Sequence, residues 1–193
     1  MRFPQVGMGA GSSSRILYAL TGRPGCGKTT AILKIVGELE NEGVRVDGMY
    51  TEEVRVGGRR VGFMVKRIGG GEGILAHVNL RDGPRLGRYR VNLEDLERVG
   101  VSAILDGIRG ADVVVVDEVG PMELFSQRFR DAVERLLNSD KHAILTVHYR
   151  SRDRLAMRVR RLAGDNLITL NELNRDEVPG IIVGKILETL GKR

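Results

Sequence analysis

The sequence predicts an α/β protein: three layers, α/β/α, around a mostly parallel sheet, with an antiparallel hairpin as an excursion. Three observations predict it. Short apolar runs alternate with segments of helical periodicity along most of the chain, so strands are joined by helical crossovers. A glycine loop, GRPGCGKTT, lies between the first apolar run and the first helix. Finally, four valines, Val113, Val114, Val115 and Val116, run into two adjacent acids, Asp117 and Glu118. That is the pattern of a strand buried on both faces that ends at a polar crevice.

Residues 1–14, MRFPQVGMGAGSSS, are rich in Gly and Ser and lack the apolar core of a secretory signal. They read as a disordered extension, with Met8 a candidate start, and the domain itself is expected over 15–193. RILYALT (15–21) is the first strand. AILKIVGELENEG spaces Ile32, Ile35, Val36 and Leu39 at helical intervals and stops at Gly43, a helix-ending residue. VRVDGMY is a second strand, so the opening is a βαβ unit with a parallel pair implied.

From about 51 to 68, TEEVRV and RRVGFMVKRI flank Gly57-Gly58, a hairpin signal. GGGEG and RDGPRLGRYR read as loops, and 92–108 as a helix with Asn92 as its N-cap. After the valine strand comes a helix at 126–138 with Phe129, Val133, Leu136 and Leu137 inward. A strand at 142–147, an arginine-rich helix at 151–163, a strand at 167–170 and a helix over about 177–190 complete the chain. About five parallel strands and a hairpin result, with helices on both faces.

Composition narrows the function classes. At 193 residues, 41% hydrophobic and 29% charged, the chain is an ordinary globular protein with room for a proper core. No stretch approaches the roughly 20 apolar residues of a membrane span. The single cysteine, Cys26, rules out an intramolecular disulfide and fits a reducing cytoplasm. The net charge is +6, and 25 of the 31 cations are arginine. They are spread along the whole chain, with four Phe and four Tyr to stack bases and no nucleic-acid-binding signature, so nucleic acid is not the expected partner. No feature of the sequence fixes an oligomeric state, and a monomer is compatible with it.

Gly22 to Thr29 matches G-x-x-x-x-G-K-[ST], the phosphate-binding P-loop. A chain of this composition would match by chance about once in a hundred, and the motif also follows a strand and opens a helix. Thr21, Gly22, Arg23, Pro24 and Gly25, then Cys26, Gly27, Lys28, Thr29 and Thr30, form the expected cradle. Its glycines let backbone N–H groups turn toward a polyanion at a helix N-terminus. Lys28 is placed to reach the β- and γ-phosphates and Thr29 to meet Mg²⁺. Cys26 reads as a small loop residue.

A P-loop protein needs a second acid at a strand end for Mg²⁺, and Asp117 fills that role. Glu118, directly after it, is placed as P-loop hydrolases of the RecA-like class place the glutamate that polarises water. In that strand order the strand ending at 147 lies between the P-loop strand and the acidic strand. Thr146 at its tip is then a candidate contact for the attacking water or γ-phosphate. His148 reads as structural. Arg55, Arg59 and Arg60 on the hairpin, or an arginine from 150–161, are candidates to neutralise charge in the transition state. A small P-loop kinase is the alternative reading, with YRSRDRLAMRVRRL (149–162) as its lid.

TGRPGCGKTT, GMYTEEVRVGGRRVGF and VVVVDEVGPMELFS together resemble one small family: the archaeal, bacterial and eukaryotic nucleoside-triphosphatases that include the human cancer-related nucleoside-triphosphatase. The likeness runs from about residue 15 to the C-terminus and includes GRYRVNLEDLE and LNRDEVP. It implies a RecA-like P-loop fold and Mg²⁺-dependent hydrolysis of ATP, GTP, CTP, UTP and TTP with little base selectivity. It also implies two nucleotide-binding segments, Thr21 to Lys28 and Val113 to Gly120, the latter including Val119. The sequence departs from the family in its N-terminal extension and in Pro121, where the human member has a lysine.

Overall fold

The structure, a computed structural model, describes residues 15–192. The extension expected over residues 1–14 lies outside them. The sheet is built from β1 (Leu17–Thr21), β2 (Val46–Val56), β3 (Arg59–Arg67), β4 (Glu72–His77), β5 (Arg85–Leu86), β6 (Tyr89–Val91), β7 (Val113–Val119), β8 (His142–Val147) and β9 (Leu167–Thr169). Their spatial order is β5-β6-β4-β3-β2-β7-β8-β1-β9. From β2 to β9 across the sheet every pairing is parallel, and from β2 to β5 every pairing is antiparallel.

The valine strand shows why there are three layers. Val113 and Val115 join Ile144 and Leu20 in one core, closed by Ile32 and Ile35 of α1 (Lys28–Asn41) and Ile182 and Ile186 of α6 (Val178–Thr189). Val114 and Val116 point the other way. They meet Ile104 of α3 (Ser102–Gly110), Phe129 and Val133 of α4 (Gln127–Leu137), and Val159 of α5 (Arg154–Ala163). All four valines are fully buried, each contributing about 1.5–3 kcal/mol in removed apolar surface. The short α2 (Leu93–Asp95) starts where Asn92 caps it by accepting from the Asp95 N–H, and a π-helical turn, Leu96–Val101, carries it into α3.

The expected antiparallel hairpin is present: β2 pairs parallel with β7 over Val46–Met49 and runs straight on to pair antiparallel with β3. One expectation needs correcting. The segments GGGEG and RDGPRLGRYR are not merely loops, because they contribute to β4, β5 and β6. Those strands widen the sheet into a wall beside the carboxyl ends of β1 and β7.

Candidate nucleotide site

The sequence folds locally so that the glycine loop ends where α1 begins. Gly25 and Gly27 have φ of 79° and 100°, a left-handed region that few side chains tolerate. Cys26 N–H donates to the Arg23 carbonyl at 3.2 Å, and its half-buried side chain packs on the α1/α6 core beside Gly22. Lys28 is the first residue of α1, and its ammonium donates to the Gly22 carbonyl at 3.2 Å. The loop closes one side of a cavity of about 510 Å³.

Across the cavity stands the end of β7, where the ladder with β8 shifts register between Val116 and Val119. Asp117 and Glu118 both line the cavity there. Asp117 is 2% exposed and fully engaged. Thr29 Oγ1 donates to its Oδ2 at 2.6 Å, Thr146 Oγ1 donates to its Oδ1, and the Thr51 N–H points at it as well. Burial pushes its pKa up, while those donors and the Lys28 charge pull the other way. Glu118 Oε2 lies 3.9 Å from Lys28 Nζ. Burial raises the Glu118 pKa to about 7, Lys28 opposes the shift and Asp117 adds to it.

Not every expected site residue arrives. Gly22, Pro24, Gly25, Gly27, Lys28, Thr29 and Thr30 line the cavity. Arg23 is exposed, and the Thr21 hydroxyl is spent on the Val147 carbonyl at 3.1 Å. Val113 to Val116 and Val119 sit in the cores behind the site, so that segment reaches the cavity through its two acids alone. Thr146 is fully buried behind the cavity lining and donates its hydroxyl to Asp117.

Arg55 pairs with Glu53 and the Gly58 carbonyl near the hairpin turn and does not line the cavity. Arg60 does line it, gripped by Glu53 at 2.6 Å and the Tyr89 hydroxyl at 3.2 Å. Arg160 is committed to the carbonyls of His148, Tyr149 and Ser151. His148 lines the cavity, with its pKa lowered by burial and by Lys28, Arg160 and Arg150.

Sequence reasoning missed Glu123. It is 3% exposed, on the turn Glu123–Phe125 after β7, and it lines the cavity. Burial and the nearby Glu118 push its pKa up to about 8. The available signal was one acid among Met122, Leu124 and Phe125. A carboxyl with a raised folded-state pKa stabilises the fold fully only below its unfolded value, and that stability is lost as pH rises through the folded value. Between about pH 5 and 9 the wild type should therefore lose more thermal stability than Glu123→Gln. Parallel melting curves across that range would show no divergence if Glu123 did not titrate there.

The P-loop strand and the acidic strand are separated by one strand, β8, and their carboxyl ends carry the glycine loop and the acid pair. Those features define a P-loop protein of the RecA-like order, with its cavity at the carboxyl edge of an open sheet, where such sheets bind ligands. A protein-family model described as "NTPase" matches residues 17–183, and this chain belongs to that NTPase family.

It is 45% identical over 175 residues to "Nucleoside-triphosphatase THEP1" of Methanosarcina acetivorans, covering 90% of this chain and 98% of that one. To the protein of the same name from Thermofilum pendens it is 46% identical over 177 residues, covering 91% and 97%. Among solved structures, THEP1 from Aquifex aeolicus superposes with a TM-score of 0.78 at 32% identity, over 89% of this chain and 99% of that one. A human cancer-related nucleoside triphosphatase gives 0.72 at 36% identity, over 90% and 98%.

Proposed function

We propose that this protein hydrolyses nucleoside 5′-triphosphates, with Mg²⁺ and with little base selectivity, to nucleoside diphosphate and phosphate. One observation carries the reading. Lys28, Thr29, Asp117 and Glu118 converge on one cavity, with Thr29 on Asp117 at 2.6 Å and Lys28 beside Glu118 at 3.9 Å. The family membership supports the same reaction class, and the relatives named as nucleoside-triphosphatases agree with it.

The donor set fits Mg²⁺. A hydroxyl and a carboxylate oxygen, both hard ligands, already meet where the ion would enter. Among the described residues no cluster of three His, Cys, Asp or Glu could hold a metal alone. That suits an ion completed by water and substrate phosphates. Thr29 and Asp117 would hold it, and when bound it supplies charge neutralisation at the β- and γ-phosphate oxygens.

The chain's own residues do the rest. Loop N–H groups and Lys28 bind and orient the triphosphate. Thr146 and the Thr51 N–H keep Asp117 fixed. Glu118 accepts a proton from water as its oxygen bonds to the γ-phosphorus and the bond to the β-bridging oxygen breaks. With a pKa of about 7 in the nucleotide-free site, Glu118 is poised for that transfer near neutral pH.

A second reading, a small-molecule kinase, is favoured by one feature. Phe63, Leu75 and Leu86 also line the cavity, with Arg60 over the Phe63 ring at 5.1 Å, a mixed apolar and cationic surface that suits a phosphoryl acceptor. A panel of nucleoside tri-, di- and monophosphates, with and without Mg²⁺, separates the two. Phosphate release from several triphosphates without any acceptor supports hydrolysis, whereas release that requires an added acceptor, or none at all, overturns it.

Among the described residues Arg60 is the one arginine lining the cavity, so it inherits the charge-neutralising role. Arg60→Ala should lower kcat by about 10³, the low end for an arginine in that position. A kcat within a few-fold of wild type would leave Arg60 as a partner of Glu53 and Tyr89 only.

A further inference from the structure

Glu123 lines the same cavity and has no part in the steps above. A buried carboxyl is costly unless it has partners. Its partners here are its own N–H and that of Gly120. Gly120 also stands between the two acids. A Cβ at residue 120 would lie 2.8 Å from Glu118 Oε1 and 2.8 Å from Glu123 Oε2. The two oxygens therefore face one spot and lie no further apart than twice that distance. The other oxygen of Glu118, Oε2, is the one turned toward Lys28. Glu118 thus reaches from the phosphate-binding lysine on one side to Glu123 on the other.

An attacking water has two O–H bonds to place, and its lone pair must point in line at phosphorus. One acceptor fixes one O–H and leaves the molecule free to swing about it; two acceptors fix its orientation. We propose that Glu123 is a water-orienting residue of the hydrolytic site: Glu118 and Glu123, brought together across the side-chain-free Gly120, accept the two O–H bonds of one water, and Glu118 takes the proton. This rests on the hydrolytic reading and adds no covalent step to it. Burial, with Glu118 adding to it, raises the Glu123 pKa to about 8, and the carbonyl oxygen of a neutral carboxyl still accepts an O–H. A glutamine keeps that oxygen; a leucine does not. An alanine at 120 leaves both carboxyls in the chain and pushes them apart.

The test compares Gly120→Ala, Glu123→Leu, Glu123→Gln and Glu118→Gln by melting temperature, equilibrium MgATP binding and single-turnover phosphate release. Gly120→Ala and Glu123→Leu should bind MgATP within a few-fold of wild type and turn over about 10²-fold more slowly, the usual result of misplacing a reacting group. Glu123→Gln should stay within about tenfold, because it keeps one neutral acceptor. Wild-type turnover in Gly120→Ala or in Glu123→Leu, beside an inactive Glu118→Gln, would overturn this inference and leave the hydrolytic reading standing. Equal losses in Glu123→Gln and Glu123→Leu would overturn it as well. An active Glu118→Gln would instead remove Glu118 as the proton acceptor, the part of the hydrolytic reading on which this inference rests. Gly120→Ala removes no carboxyl but displaces Glu118 as well as Glu123, so a loss there follows in either case, whereas wild-type turnover in it overturns the inference even if Glu123→Leu fails to fold.

Discussion

Lys28→Ala should reduce single-turnover phosphate release by about 10³ or more, the upper range for removing one preorganised donor from a developing charge. The triphosphate should also bind more weakly, because a charge-assisted contact is lost in ground and transition states alike. The geometry explains why no neighbour can substitute. Its ammonium is already inside the cavity, between the Gly22 carbonyl and Glu118. Arg60 lines the cavity from β3, where its charge acts beside that of Lys28 rather than in its place, and Arg160 is held by three carbonyls. His148 has its pKa lowered and is largely neutral at pH 7. Removing Lys28 therefore leaves Glu118 and Asp117 facing the phosphates without a compensating side-chain cation from the loop. Near-normal turnover would mean that the cradle does not bind the reacting phosphates, and the whole assignment of the cavity would fall.

Much of this arrangement was legible in the sequence because it is local. The glycine loop carries its own conformational demand, at Gly25 and Gly27, and its own chemistry at Lys28 and Thr29. The valine strand could be read because burial on both faces leaves no polar position until Asp117. The strand order followed from the acids, and the structure places β8 between β1 and β7 as that order requires.

What was illegible depends on contacts remote in sequence. Strands β5 and β6 pair over only two positions, and β6 meets β4 over two more. Segments that short and glycine-rich become strands only once β4 offers an edge. Thr146 could be placed at a strand tip, but not assigned to Asp117, because which atom its hydroxyl meets depends on how the end of β7 turns. Glu123 was hidden for the opposite reason: its neighbours are apolar, and its burial is set by the turn after Pro121.

Asp117 and Glu118 should separate cleanly under substitution, because adjacent acids here have different surroundings. Asp117 is saturated: Thr29 and the Thr51 N–H hold it with Thr146 behind, and its burial is complete. It suits a fixed metal-shell ligand, so Asp117→Asn should damage Mg²⁺-dependent binding and turnover together. Glu118 accepts no hydrogen bond from those groups, and it pairs with Lys28 at 3.9 Å. A carboxyl left free beside the reacting phosphate, with a pKa near 7, can take up a proton during the step and give it back afterward. Glu118→Gln keeps the size and one acceptor but loses that capacity. MgATP binding should stay close to wild type, while single-turnover phosphate release drops by about 10²–10⁴, the usual worth of a positioned general base. An equilibrium titration beside a single-turnover time course decides it. Equal losses in binding and rate would make Glu118 structural. An unchanged rate would transfer the proton-accepting role to another group of the cavity.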